Sequence, residues 1–238
     1  MAPNVRSCIQ IIQRVAPRVG LRSPTAALLS QDLNIQKLVS CLQESGDDAM
    51  ERHEWPILTT ETTQLTLAAE AQTAFPDDFD RLSEKASIWN RSVNMRYDGP
   101  CEPSQWDEMH AATVGTAGSI GFWRIIGDVL HFFPAATAGQ TIAYTYIANT
   151  WAKKADGTPQ REFLLDSDLP RLPDSLFIYG ARYRFKMMNG LDYAEDMATY
   201  ERYFETKSSH SRGLRILRKS NSGSGVPATK TWPGVIIG

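Results

Sequence analysis

Apolar residues recur at Val5, Cys8, Ile9, Ile12, Val15, Ala16 and Val19, the three-to-four spacing of one helix face. Pro17 disfavours helical geometry at Ala16, so this first helix is expected to end there. A second helix fits 31–52, with Leu33, Ile35, Leu38, Val39, Leu42, Ala49 and Met50 inward. Ser30 or Asp32 supplies its N-cap, and Trp55 before Pro56 closes it. Joined by a short Ser/Pro linker, the two predict an antiparallel pair whose apolar faces need further helices to cover them.

From Ile57 the pattern changes period. "ILTTETTQLTLA" is rich in β-formers with partial alternation, "ASIWNRSV" follows, and "FWRIIGDVLHFF" places Gly127-Asp128 between two apolar runs as a tight hairpin turn. In "QTIAYTYIANTW", Ile142, Tyr144 and Tyr146 alternate against Ala143, Thr145 and Ile147. Together these predict the strands of a small antiparallel sheet. Between them, Ser104 with Asp107 three residues on has the spacing of a capping box and predicts a short helix.

Helical spacing returns at Pro173, a residue suited to a first turn, with Leu176, Tyr179, Gly180, Tyr183 and Met187 on one face. Asn189-Gly190 supplies a left-handed stop, and Asp192 with Glu195 caps a further helix through Met197, Tyr200 and Phe204. The expected fold is α+β: a bundle of about four main helices, a small inserted antiparallel β segment and an extended C-terminal tail. The expected boundaries are 1–55 and 169–213 for the two halves of the helical body, 56–168 for the β-rich insertion and 214–238 for the tail.

That tail carries the least ordinary pattern. After a Ser/Gly linker from Ser220 to Gly225 comes an apolar tip, Trp232, Pro233, Gly234, Val235, Ile236, Ile237, Gly238. It buries too little area to fold alone. Val235-Ile236-Ile237 is a β-prone run able to join the edge of another chain's sheet, with Trp232 as a pocket anchor. Trp232, Pro233, Val235, Ile236 and Ile237 are therefore candidate partner-binding residues, and Arg215, Arg218, Lys219 and Lys230 are candidate basic contacts.

Charge sharpens this picture. The net charge is -2, yet all 27 acidic residues lie between Asp32 and Glu205. That span holds 15 basic against 27 acidic groups, hence -12, while the four basic residues before it and the six after it leave both ends positive. Basic ends imply an acidic partner surface, either nucleic acid or protein. No run of about 18 apolar residues occurs, and Gln and Arg interrupt the N-terminal apolar spacing, so neither a membrane span nor a secretory signal is expected. Cys8, Cys41 and Cys101 are odd in number and far apart, which fits free thiols in a reducing compartment.

Catalytic chemistry finds little support. His53, His110, His131 and His210 are scattered, and no Cys/His pair has zinc spacing. No glycine-rich phosphate loop or nucleophile elbow occurs. Asp77-Asp78 and Asp166/Asp168 have the residue types for acid–base work, but each pair sits beside proline in a turn-like setting. Trp89, Trp106, Trp123, Tyr144, Tyr146 and Trp151 could stack bases, yet the acids around them would repel phosphate, which favours core packing. The basic "RYRFK", Arg182 to Lys186, reads as a solvated helix face or as a partner of the acidic stretch Asp192 to Asp196.

Several runs resemble one known family: "LVSCLQESGDDAMERHEWPILTTE", "FPDDFDRLSEKASIWNRS", "PSQWDEMHA", "FWRIIGDVLHFFPAATAGQTIAYTYIANTWA" and "LPDSLFIYGARYRFKMMNGLDYAEDMATYE". They are similar to the head-to-tail adaptor, or connector, proteins of tailed bacteriophages, over roughly Val5 to Glu205. The resemblance implies a helical bundle with a β insertion and a ring of usually a dozen copies under the portal, with the DNA exit channel continuing through it. It also implies a C-terminal tail docked on portal subunits, tail or nozzle proteins on the other side, and DNA passing without sequence-specific contacts. The expectation is a structural virion protein put together in the host bacterial cytoplasm, with no enzyme activity, cofactor or membrane partner. The runners-up are a nucleic-acid-binding module using the basic termini and a wall-degrading hydrolase using Asp166 or Asp168.

Overall fold

The computed structural model describes residues 5–84, 86–111 and 121–211. Helix α1, Cys8–Val15, is followed by a 3-10 turn, Ala16–Val19, closed by Gly20 at φ 78°. Helix α2 is Leu33–Glu51, and the Asp32 side chain accepts from the Asn34 N–H as its N-cap. The first two amides of α1, which no turn of their own helix can satisfy, donate instead to the Asp168 and Asp166 carbonyls (2.8 and 3.1 Å). Helices α4, Asp174–Met188, and α5, Ala194–Ser211, complete the helical part, and α4 packs against α1, α2 and α5.

Among the described residues, eleven strands and one helix run between α2 and α4. They are β1 Thr59–Leu65, β2 Ala71–Ala74, β3 Phe79–Leu82, β4 Ile88–Asn90, β5 Met95–Tyr97, α3 Pro103–Ala111, β6 Phe122–Ile126, β7 Val129–Phe133, β8 Thr141–Ala148, β9 Ala152–Lys153, β10 Pro159–Gln160 and β11 Leu169–Pro170. The main sheet has the order β1-β8-β4-β5, with β3 also on β8; β2-β7-β6 and β10-β9-β11 form two more, and every paired strand is antiparallel. The β6–β7 hairpin turns at Gly127 and Asp128, φ 54° and 59°, the two consecutive left-handed residues that such a turn needs.

This corrects the expected four-helix bundle with a small β insertion. Among the described residues there are five α-helices, and the β portion is three sheets. The reason lies in the core. α1 spans only two turns, so α1, α2, α4 and α5 leave apolar surface that helices alone do not cover. Trp151, Ala152, Phe163 and Leu172, from the chain between β8 and α4, fill it together with Ile147. Trp151 sits against Phe163 and Phe177 with ring centroids 4.9 and 5.3 Å away.

A second core joins the sheets: Ile88, Tyr97, Trp123, Leu130, Phe132, Ile142, Tyr144 and Tyr146. Strand β8 serves both. Its residues 142, 144, 146 and 148 face the β core, while Ile147 faces the helices, as a two-residue period requires. Helix α3 also starts earlier than the Ser104/Asp107 spacing predicts. Pro103 is its first residue, Glu102 O accepts from Trp106 N (3.0 Å), and Gln105 reaches back to Glu102 N.

Candidate functional site

The nine residues singled out for partner binding, Trp232, Pro233, Val235, Ile236, Ile237, Arg215, Arg218, Lys219 and Lys230, lie outside the described residues. The structure therefore bears on what precedes them and on the competing chemistry.

The carboxylate pairs are structural. Both oxygens of Asp166 accept backbone N–H groups, from Leu28 and Ala27 at 3.0 Å each, tying the loop before α2 to the loop before β11. Asp168 Oδ2 accepts from Leu164 N and Leu165 N, both at 2.8 Å, and from Gln160 Nε2. Carboxylates committed to backbone amides organise loops. Asp78 accepts from the buried Tyr146 hydroxyl at 2.7 Å.

The basic run of α4 also turns inward. Arg182 and Lys186 both meet the buried Asp196 of α5. Burial pushes the Asp196 carboxyl up, but the hydrogen bonds from Lys186 and Arg182 together outweigh it and hold it below the usual carboxylate value. Arg184 runs the other way, into α2, with Asp48 at 3.2 Å and Ser45 Oγ at 3.1 Å. Near the N-terminus, Arg6 pairs with Asp174.

Of the six aromatics able to stack bases, Trp106, Trp123, Tyr144, Tyr146 and Trp151 are buried. Trp89 remains exposed, beside a groove of about 510 Å³ rimmed by Glu61 and Arg91, which pair with each other. The histidines are less scattered than the sequence implies. His110 on α3 and His131 on β7 converge on one Glu70 oxygen, at 3.6 and 3.4 Å, where α3 lies beside the second sheet. Among the described residues no group of three or more His, Cys, Asp or Glu could hold a metal ion. No helix among them is long and apolar enough to cross a membrane.

Two groups of large apolar side chains are among those left exposed. Met187, Met188, Leu191, Tyr193 and Met197 cluster around the α4–α5 turn, and Leu29, Leu33, Leu164 and Leu165 stand out around the loops that Asp166 joins. The sequence pattern places Leu33 and Met187 on inward helix faces, and the structure corrects this by exposing both; the pattern does not single out the two groups as surface. The available signal was methionine and leucine crowding the Asn189-Gly190 stop, where turn chemistry alone favours polar residues.

The model of the SU10 adaptor protein family matches residues 7–228. The chain belongs to that family. The match runs through both cores of this adaptor, which agrees with the head-to-tail adaptor resemblance of its sequence. It includes Arg215, Arg218 and Lys219 and stops short of Lys230 and the Trp232–Gly238 tip. No curated protein matches the chain. Family membership makes this adaptor a structural component of a phage particle, and its exposed apolar groups are surfaces on which such a component can meet its neighbours.

Proposed function

We propose that this adaptor forms a ring beneath the portal, a reading supported by the family match that runs through both cores. The ring has about twelve copies, joins portal to the tail or nozzle proteins, and continues the DNA channel without reading sequence. Each subunit holds the portal through Trp232, Pro233, Val235, Ile236 and Ile237, and Arg215, Arg218, Lys219 and Lys230 meet acidic portal surface. Burying a few such side chains stabilises each contact by about 1.5 to 3 kcal/mol apiece before ordering costs. A tethered contact repeated around a ring gains further from effective concentration.

Electron microscopy of the purified chain, alone and mixed with purified portal, tests the ring. A persistent monomer with no portal-bound density refutes it. Deleting residues 232–238 tests the hook separately: portal binding is expected to fall by about tenfold or more, the loss of at least one buried apolar side chain. Unchanged binding refutes the hook and leaves the ring standing.

A further inference from the structure

Beside the end of α5 lies a cleft of about 570 Å³. One wall is α5 itself, at Lys207 and Ser211. The other is built by Pro56 and Ile57 after α2, Leu172 and Pro173 before α4, and Val5 before α1. Ile57 is 54% exposed there, a large apolar side chain facing an apolar cleft. The cleft's carboxylate, Asp174, already pairs with Arg6. The lining also carries Arg171, held by Thr150 and the Ile57 carbonyl, and Lys207 and His210 on α5, and the rest of it is mostly apolar.

The chain's own order says what fits. The last buried apolar side chain of α5 is Phe204, and residues 205–213, "ETKSSHSRG", contain no apolar side chain. The next apolar residues are Leu214, Ile216 and Leu217. Leu214 and Leu217 stand three and six residues beyond Ser211 of the cleft wall in sequence, interspersed with Arg212, Arg215 and Arg218. Leu214 is three residues from the cleft wall at Ser211, within about 10 Å even fully extended, which matches a space of this volume.

We propose that this cleft holds Leu214, Ile216 and Leu217 of the same chain and fixes the point at which the C-terminal tail leaves the body. The remaining 218–238 then has a contour of at most about 70 Å from a defined root. That length, counted from a fixed origin, sets which partner surfaces the tip can reach and at what effective concentration. The root is independent of what the tip grips.

The test uses the full chain with Cys101→Ser, since Cys8 and Cys41 are buried. Ile57→Cys is paired with Leu214→Cys in one variant and with Ile236→Cys in another, and mild oxidation is followed on non-reducing gels with peptide mapping. The 57–214 pair is expected to close within one chain at least about tenfold faster than 57–236, as the shorter tether and seated segment require. Faster closure of 57–236 makes the tip the occupant, links between chains make it a second copy's segment, and no link leaves the cleft to another partner; each overturns the proposal. Leu214→Ser with Leu217→Ser is expected to lower Tm by about 5 °C, with Ile236→Ser plus Ile237→Ser leaving it unchanged. Equal Tm values in the two double variants also overturn it.

Discussion

Gly46 sits in the middle of α2, where helix propensity alone argues for replacing it. Gly→Ala in a helix interior stabilises by roughly 0.5–1 kcal/mol. Yet a Cβ at Gly46 would lie 2.5, 2.6 and 2.7 Å from three ring atoms of Trp151. That ring cannot retreat easily. It is fully buried, its Nε1 donates to Asp47 Oδ1 at 2.8 Å, and Phe163 and Phe177 hold its other sides. Overpacking of this kind costs about 1–3 kcal/mol, and three simultaneous close contacts place it at the upper end. The net effect of Gly46→Ala is then a loss of about 2 kcal/mol, or about 4–8 °C in Tm for a chain of this size. Urea denaturation gives the free energy, and the decisive comparison is the same substitution in a Trp151→Leu background, where the clash is gone and Gly46→Ala should be neutral or favourable by up to about 1 kcal/mol. A Gly46→Ala protein as stable as the parent, or an unchanged loss in the Trp151→Leu background, refutes the packing argument.

Other expectations rest on buried groups. Burial pushes the Cys8 thiol up to about 12 and that of Cys41 to about 11, so neither is a thiolate near pH 8; an aromatic disulfide reagent should find Cys101 first and the other two only on unfolding, and three fast thiols would contradict this. The folded Asp196 carboxyl lies below its unfolded value, so its pairing stabilises fully above about pH 5 and is lost as pH falls through about 4 and lower. Asp196→Asn should therefore cost about 2 kcal/mol at pH 7, with the difference from the parent closing in acid, as measured by denaturation at each pH. Asp166→Ala leaves the Ala27 and Leu28 amides without their acceptor and should cost about 1–3 kcal/mol, with Asp166→Asn costing less because one oxygen remains.

Local rules read the chain well wherever the answer was local. Asp32 caps α2, Gly127-Asp128 turns a hairpin, and Arg182 and Lys186 find the acid of the next helix, whereas Ala16 before Pro17 is helical and the chain tightens there into a 3-10 turn through Val19. The failures are long-range. Strands of two residues, such as β9 and β11, are too short to show any period, so their sheet had no signature. The helical body was read as helices alone because nothing in the sequence says that Trp151 and Phe163 pack on α2 and α4 and not among the strands. Asp168 binds amides three and four residues away, as a turn carboxylate does, but those bound by Asp166 stand 138 and 139 residues away. His110 and His131 looked scattered because only the fold brings them to Glu70.

The two cores are joined where the chain crosses between them, and the crossings lie side by side. One crossing is the run from Trp55 into β1, the other the run from β8 into Trp151. They are paired, with Thr59 opposite Ile147 and Ala148 N donating to Leu58 O at 2.8 Å. Arg171 then braces both at once. Its Nη1 donates to the Thr150 carbonyl and hydroxyl at 2.7 Å, and its Nη2 to the Ile57 carbonyl at 2.5 Å. Its burial is reflected in a guanidinium pKa below the ordinary arginine value. A junction made of two hydrogen-bonded strands, with Ile147 seated in one core and Tyr146 in the other, resists bending far more than a single linker would. Forces applied to the helical part therefore pass directly into the sheets. The same junction lies beside Ile57 and the cleft at the end of α5.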